Sequence, residues 1–348
     1  MYEDKKQLRT AVVGLGRIGW QFHLPQIVSH KEFTLSAVVD PLADRLEEAK
    51  STFGAKGYTD FSDMLKSEKP DLVVVASPTK FHCQQVVKAF EHGCDVFCEK
   101  PVVLNLTEMD VIIESQKKHN RKFMVYQPHR GFSDIVCLKY IMSLGLLGRI
   151  YMIKRCCTDF NRRSDWQAFL NNGGGMLNNY GSHFIDQLLH LGGEPISDLK
   201  CVRRKIACLG DAEDVVKIVM ETDGGLILDL DINMASAFEM RPWQVLGDNG
   251  SAILDVNSNM WMVKYFVPAE LQNVSINTEL AAKGRSYSNG ETIPWRLKEF
   301  KLSDFDPIDY YQKCYEYFAG GQKPFVDIAE SRLLIEVIEK CRNSSVIR

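Results

Sequence analysis

Two stretches of the chain carry residue types at spacings that can do chemistry. The first is Gly14-Leu15-Gly16-Arg17-Ile18-Gly19, with Asp40 following 21 residues after Gly19. Glycines so spaced permit a tight turn at Gly14, close approach of a ligand to backbone at Gly16, and close helix packing at Gly19. Arg17 and Ile18 open the helix that follows, and its free N–H groups and positive dipole end suit a pyrophosphate. The carboxylate of Asp40 then accepts hydrogen bonds from the ribose hydroxyls of a dinucleotide. It also repels a 2′-phosphate, and Pro41 stands where an arginine would have welcomed one. The spacing therefore predicts NAD rather than NADP. Arg45, one helical turn further on, is placed to lie over the adenine.

The second stretch runs Gly173-Gly174-Gly175-Met176-Leu177-Asn178-Asn179-Tyr180-Gly181-Ser182-His183-Phe184-Ile185-Asp186. The imidazole of His183 titrates near neutrality and suits proton transfer. A helix expected from about Leu177 to Leu191 sets Asn179 one turn before it, so both project from one face. The glycine run lets backbone approach a ligand closely, and His190 on the same helix reads as a buried core histidine.

These groups need a frame. Leu8–Gly14, Thr34–Asp40, Asp71–Ala76, Asp95–Cys98 and Lys122–Tyr126 are short apolar runs, rich in valine and not alternating. Such runs mark strands buried on both faces. Helical segments at Arg17–Ser29, Leu42–Phe53, Thr79–His92 and Leu106–His119 separate them, which implies right-handed crossovers and a doubly wound parallel α/β sheet of the Rossmann type. Ligands of such sheets bind at the carboxyl ends of the strands, here Gly14, Asp40, Ser77, Glu99 and Gln127. Further strands are expected at Ile150–Asp159, Leu199–Ala207, Asp214–Glu221, Leu226–Asn233, Arg241–Leu246 and Ala252–Val256.

The chain's 348 residues exceed the roughly 250 at which a single core stops growing, so two domains are expected. With 42 Lys+Arg against 45 Asp+Glu, the net charge of −3 leaves no footprint for nucleic acid or an anionic membrane. The charged start Met1–Lys6 reads as no secretory signal, and no apolar run approaches a membrane span. The ten cysteines form no CxxC pair and no zinc pattern, so no metal is expected, and reduced core thiols in a cytoplasmic protein are. A small molecule is the expected partner.

Further motifs narrow the field. Ser77-Pro78-Thr79-Lys80-Phe81-His82 follows one strand and Cys98-Glu99-Lys100-Pro101 ends the next, and Gly247-Asp248-Asn249-Gly250-Ser251 and Cys341-Arg342-Asn343-Ser344-Ser345 come later. With the fingerprint and the Gly173–Asp186 stretch, this ordered set resembles the Gfo/Idh/MocA oxidoreductase family over nearly the whole chain.

The resemblance implies a dinucleotide-binding domain over residues 1–127 and a substrate-binding α/β domain over 128–348. In relatives the second is a large open, mostly antiparallel sheet whose outer face pairs copies, which implies a homodimer or homotetramer. The implied reaction is hydride transfer between NAD and a hydroxyl carbon of a sugar, cyclitol or sugar acid. Lys100 contacts the substrate hydroxyl there, and Lys100 with His183 handles its proton. Ser77, Pro78, Thr79, His82, Glu99 and Gln127 fall at the cofactor crevice, although a structural cap explains His82 as well. Trp166 either stacks on a sugar face or packs between domains, and Tyr180 is similarly open.

Two departures stand out. Relatives carry an aspartate four residues before the histidine, where this chain has Asn179, which can orient by hydrogen bonding but cannot balance a cation. Either His183 acts with Lys100 alone, or the substrate supplies its own carboxylate, or the redox role has changed. Gln127-Pro128-His129-Arg130 stands where relatives often show Asn-Arg-Arg. Arg130 is then the retained contact for an anion or hydroxyl, and His129 is new or merely solvated. Two rival functions remain: a lyase or glycosidase that uses tightly bound NAD transiently, and a non-catalytic dinucleotide sensor.

Overall fold

The computed structural model describes residues 7–274, 276 and 291–348, so the charged start Met1–Lys6 lies outside the described residues. The first half alternates as expected: β1 (Leu8–Val13), a π-helical turn Gly19–His23 running into α1 (Leu24–Ser29), β2 (Phe33–Val39), α2 (Ala43–Phe53), β3 (Gly57–Tyr58), α3 (Phe61–Glu68), β4 (Leu72–Val75), α4 (His82–Glu91), β5 (Asp95–Glu99), α5 (Leu106–His119) and β6 (Phe123–Tyr126). All six strands are parallel, in the order β3-β2-β1-β4-β5-β6. Every residue of β4 is buried, which is why it reads as an unbroken apolar run. The strand order reverses between β1 and β4, so the crevice of this sheet opens over Gly14 and Ser77. Unforeseen are β3, only two residues long, and α3, a short helix capped by Asp60.

The second half comprises α6 (Ser133–Ser143), β7 (Ile150–Thr158), a π-helical turn Leu177–Gly181 leading into α7 (Ser182–Gly192), β8 (Ile196–Arg204), β9 (Val215–Thr222), β10 (Ile227–Asn233), β11 (Trp243–Gly247), β12 (Gly250–Asp255), β13 (Met260–Tyr265), β14 (Arg296–Lys301), α8 (Tyr310–Phe318) and α9 (Ile328–Ser344). Eight strands run β14-β13-β12-β11-β7-β10-β9-β8, with β7 and β10 parallel and every other neighbour antiparallel. Strict alternation in β9 and β10 buries one face under α6, α7 and α9. The Rossmann sheet and the mostly antiparallel sheet are thus the two layers the sequence implies. The strand expected at Leu199–Ala207 sits three residues earlier, at Ile196–Arg204, and α6, β13 and β14 were not legible.

A division at residue 127 does not describe the packing completely. Tyr310, Tyr311, Cys314, Tyr315 and Phe318 of α8 belong to the core of the first sheet. The Tyr310 hydroxyl donates to Val125 O at 2.8 Å and accepts from Gln127 N at 2.9 Å. The returning helix therefore clamps the end of β6, where the first domain hands over to the second. All ten cysteines are free thiols. No helix of the described residues is long and apolar enough to cross a membrane.

Candidate active site

Gly14 has φ +96°, and a Cβ there would lie 2.6 Å from Ser77 N, so only glycine fits the turn. A Cβ on Gly19 would meet the Gly14 carbonyl oxygen at 2.0 Å. Beside Gly16, by contrast, nothing lies within 4 Å of the Cβ position. The glycine turn is therefore closed against its own fold and open where a pyrophosphate would approach, as a dinucleotide requires. Asp40 is buried and ties this turn down: Oδ2 accepts from Leu15 N at 2.8 Å and from Arg45 Nη1 at 3.1 Å, and Oδ1 accepts from Leu42 N at 3.0 Å. Arg45, expected over the adenine, is instead paired with Asp40.

Ser77 and Thr79 sit at the end of β4, where Ser77 Oγ donates to Gln85 at 2.6 Å and Pro78 precedes a 3-10 turn. His82 is only 1% exposed. Its Nε2 lies 2.7 Å from Ser77 O, and its Nδ1 lies 3.2 Å from the carbonyls of Pro101 and Val102. The ring staples the ends of β4 and β5 together, as a structural cap would. Glu99 is likewise turned inward, with Oε1 on His23 Nε2 at 2.9 Å and Oε2 on Lys100 N at 3.1 Å. It thereby fixes the backbone of Lys100.

Lys100 reaches out of this end toward the second domain, and its Nζ donates to the carbonyl of Asn179 at 2.9 Å. Burial pushes the ammonium pKa down to about 8; Glu99 opposes that shift and Arg17 adds to it. Asn179 belongs to the π-helical turn, which the glycines prepare: Gly173 and Gly175 have φ +76° and +99°. Glu213 fills the space beside Gly175 and accepts from Leu177 N at 3.1 Å, anchoring the turn. The Asn179 amide reaches Gln167 Oε1 at 3.4 Å. Among the described residues no hydrogen bond joins Asn179 to His183, so the asparagine does not orient the imidazole.

His183 is held another way. Its ring stacks on that of His129, with centroids 3.7 Å apart and planes 7° from parallel. His183 Nδ1 is buried without any partner. Burial, then Lys100 and His129, drive its pKa well down. Burial, Lys100 and Arg155 push His129 down to about 4. Both rings are therefore neutral near pH 7. His129, open in the sequence between new and solvated, is a structural part of the site.

Gln127 is buried at the end of β6; its Nε2 donates to Ser182 O at 3.2 Å, while its Oε1 has no partner. Among the described residues, two of the four orphaned buried side-chain polar atoms are Gln127 Oε1 and His183 Nδ1, and a ligand offering polar hydrogens there would satisfy them. Arg130 does not serve it. Its guanidinium is 2% exposed and clasped by Asp186 at 2.7 Å and Glu330 at 3.0 Å, so its role is to lock α7 to α9. Trp166 is exposed at the rim, next to Gln167, while Tyr180 stacks on Phe184 with centroids 5.6 Å apart. Three contributors escaped the sequence: Gln167, the His129–His183 stack and Arg155. Arg155 had a signal, since the β7–β10 register puts Ile153, Arg155 and Cys157 opposite the inward residues Leu228, Leu230 and Ile232.

A family model described as "Oxidoreductase family, NAD-binding Rossmann fold" matches residues 8–127, and one described as "GFO/IDH/MocA C-terminal domain" matches 136–253. The chain belongs to the Gfo/Idh/MocA oxidoreductase family. It is 30% identical to D-glucoside 3-dehydrogenase of Escherichia coli over 198 residues, which span 54% of this chain and 55% of that enzyme. It is 25% identical to scyllo-inositol 2-dehydrogenase (NAD(+)) of Bacillus subtilis over 97% of this chain and 94% of that one. The fold matches an NAD-binding protein from Listeria innocua with a TM-score of 0.81 at 22% identity, over 97% and 95% of the two chains. In this Gfo/Idh/MocA protein, then, the glycine turn and Asp40 lie within the matched NAD-binding Rossmann domain. Among the described residues, no group of three or more His, Cys, Asp or Glu gathers to hold a metal.

Proposed function

We propose that this protein is an NAD-dependent oxidoreductase acting on a hydroxyl-bearing carbon of a sugar, cyclitol or sugar acid. One observation carries the reading: Lys100 reaches across to the turn before α7, close enough for its charge to act on the His183 imidazole, whose Nδ1 has no partner. The names of the two related dehydrogenases support the substrate class. Bound NAD supplies the hydride acceptor. Lys100 exchanges a proton with the substrate hydroxyl at Nζ, which burial makes available as a free amine from about pH 8. His183 Nδ1 holds the same hydroxyl, and the π-helical turn keeps Asn179 O on Lys100. Gln127 Oε1 accepts from the cofactor side of the crevice. Purified protein incubated with NAD and a panel of sugars and cyclitols should accumulate reduced nicotinamide. Product formation without any accumulation would instead support transient use of the cofactor in a lyase or glycosidase.

The outer face of the eight-stranded sheet supports self-association. It presents Lys154, Lys217, Val219, Asp229 and Asp231, exposed or half-buried, in self-complementary signs of charge. A homodimer or homotetramer through this face is our reading, and sedimentation as a monomer at micromolar concentration would refute it.

A further inference from the structure

The crevice holds two cations, Lys100 and Arg155, that no carboxylate contacts directly, although Glu99 and Asp134 act on them from further off. Lys100 Nζ has only a backbone carbonyl as partner. Arg155 lies half-buried on the opposite wall, its guanidinium carbon 4.0 Å from the Phe184 ring centroid and 4.9 Å from that of Trp243. Its Nη1 donates to the carbonyls of Cys156 and Pro242, and its Nε lies 3.4 Å from Gln187 Oε1. Among the described residues no acceptor takes its Nη2, and neither cation has a carboxylate within 4 Å. Gln187 in turn donates to His129 O at 2.9 Å, so Arg155, Gln187, His129 and His183 form one continuous wall running to the reacting centre.

Every nearby acid is engaged elsewhere. Glu99 holds His23 and the Lys100 amide, and Asp186 holds Arg130. Asp134, whose charge reaches Arg155 without an ion-pair contact, holds the Trp243 indole at 3.1 Å and Ile135 N at 3.0 Å. The remaining acidic position of the resembled pattern is Asn179. Two cations taken out of water with only neutral partners are costly, whereas a planar carboxylate on an arginine is a strong, directional pair. Oxidised nicotinamide would add further positive charge.

Resting on the oxidoreductase reading, we infer that the substrate carries a carboxylate, a uronic- or aldonic-acid-like group, which Arg155 receives while Lys100 and His183 engage the reacting hydroxyl. The missing acid at position 179 is then supplied by the ligand.

The test uses the full-length protein saturated with NADH and matched ligand pairs: glucuronate with glucose, and gluconate with glucitol. Calorimetric titration should give the carboxylates at least tenfold tighter binding, and Arg155→Gln should abolish that ratio. Arg155→Lys, which keeps the charge, should retain part of it and guards against a folding defect. Carboxylates that bind no better than their neutral partners, including both failing to bind, would overturn the inference, as would an unchanged ratio in Arg155→Gln. NADH formation from NAD is measured separately. Selective carboxylate binding without turnover would sink the hydride reading alone, and turnover without selectivity would sink the carboxylate alone.

Discussion

The imidazoles of His129 and His183 lie face to face, 3.7 Å apart and 7° from parallel, one from the loop after β6 and one from α7. Contact this close makes the two protonation states exclusive, because a charge on one ring is felt at full strength by the other. The loop after β6 and the start of α7 are thereby coupled through a pair of neutral rings.

That coupling has a pH signature. His129 titrates at about 4 when folded, against an ordinary value of 6.5, so between those values the unfolded chain binds more protons. Stability contributed by the neutral ring is full above pH 6.5 and is lost as the pH falls toward 4. The full loss is about 3 kcal/mol before screening at this partly accessible ring. His183 and His82, also lowered by burial, act in the same direction. Calorimetric melting from pH 7 to 4.5 should show a steep fall in Tm, and His129→Gln should make that fall shallower.

The oxidation rate should rise with pH through a midpoint near 8, where half of Lys100 is free amine, and level off above it. Burial lowers this value most; Glu99 raises it, and Arg17 lowers it further. Arg17→Met should therefore move the inflection in kcat/KM upward. Lys100→Met should lower turnover by about 10²–10⁴ and remove the inflection. Full turnover in Lys100→Met would remove the lysine from the mechanism.

Much of this was legible in the sequence, and the boundary is physical. Gly14, Gly19 and the buried strands follow from backbone geometry and continuous apolar runs, which are local signals. The partners of Arg130 and Glu99 were not legible, because Asp186, Glu330 and His23 lie far from them in sequence. The His129–His183 stack joins residues 54 apart and leaves no periodic trace. Arg155 alone broke a visible rule, a cation at an inward position of β7.

Asp40 has two duties, so its removal should have two readouts. As acceptor for Leu15 N, Leu42 N and Arg45 it holds the glycine turn, and Asp40→Ala leaves two backbone donors unmet. A loss of roughly 1–3 kcal/mol in stability is expected. The carboxylate also repels a 2′-phosphate, and without it Arg45 is free to attract one. Fluorescence titration should show the NADPH-to-NADH affinity ratio rising at least tenfold in Asp40→Ala. A double variant, Asp40→Ala with Arg45→Ala, should lose most of that gain.

Asn179→Asp restores the acid of the resembled pattern and so tests what its absence does. The new carboxylate would stand against Gln167 Oε1, beside the carbonyl that already accepts from Lys100. Negative charge there favours the ammonium, so the Lys100 inflection should move above 8 and the rate at pH 7 should drop. It also favours a proton on His183, which disrupts the neutral stack on His129. For an anionic substrate the same carboxylate is repulsive, and KM should rise by about tenfold or more, since 1.4 kcal/mol of repulsion suffices. For a neutral sugar KM should change far less. Steady-state kinetics on the variant measures each effect separately. A gain in kcat/KM on the acidic substrate would mean that Asn179 is not matched to the charge of its ligand.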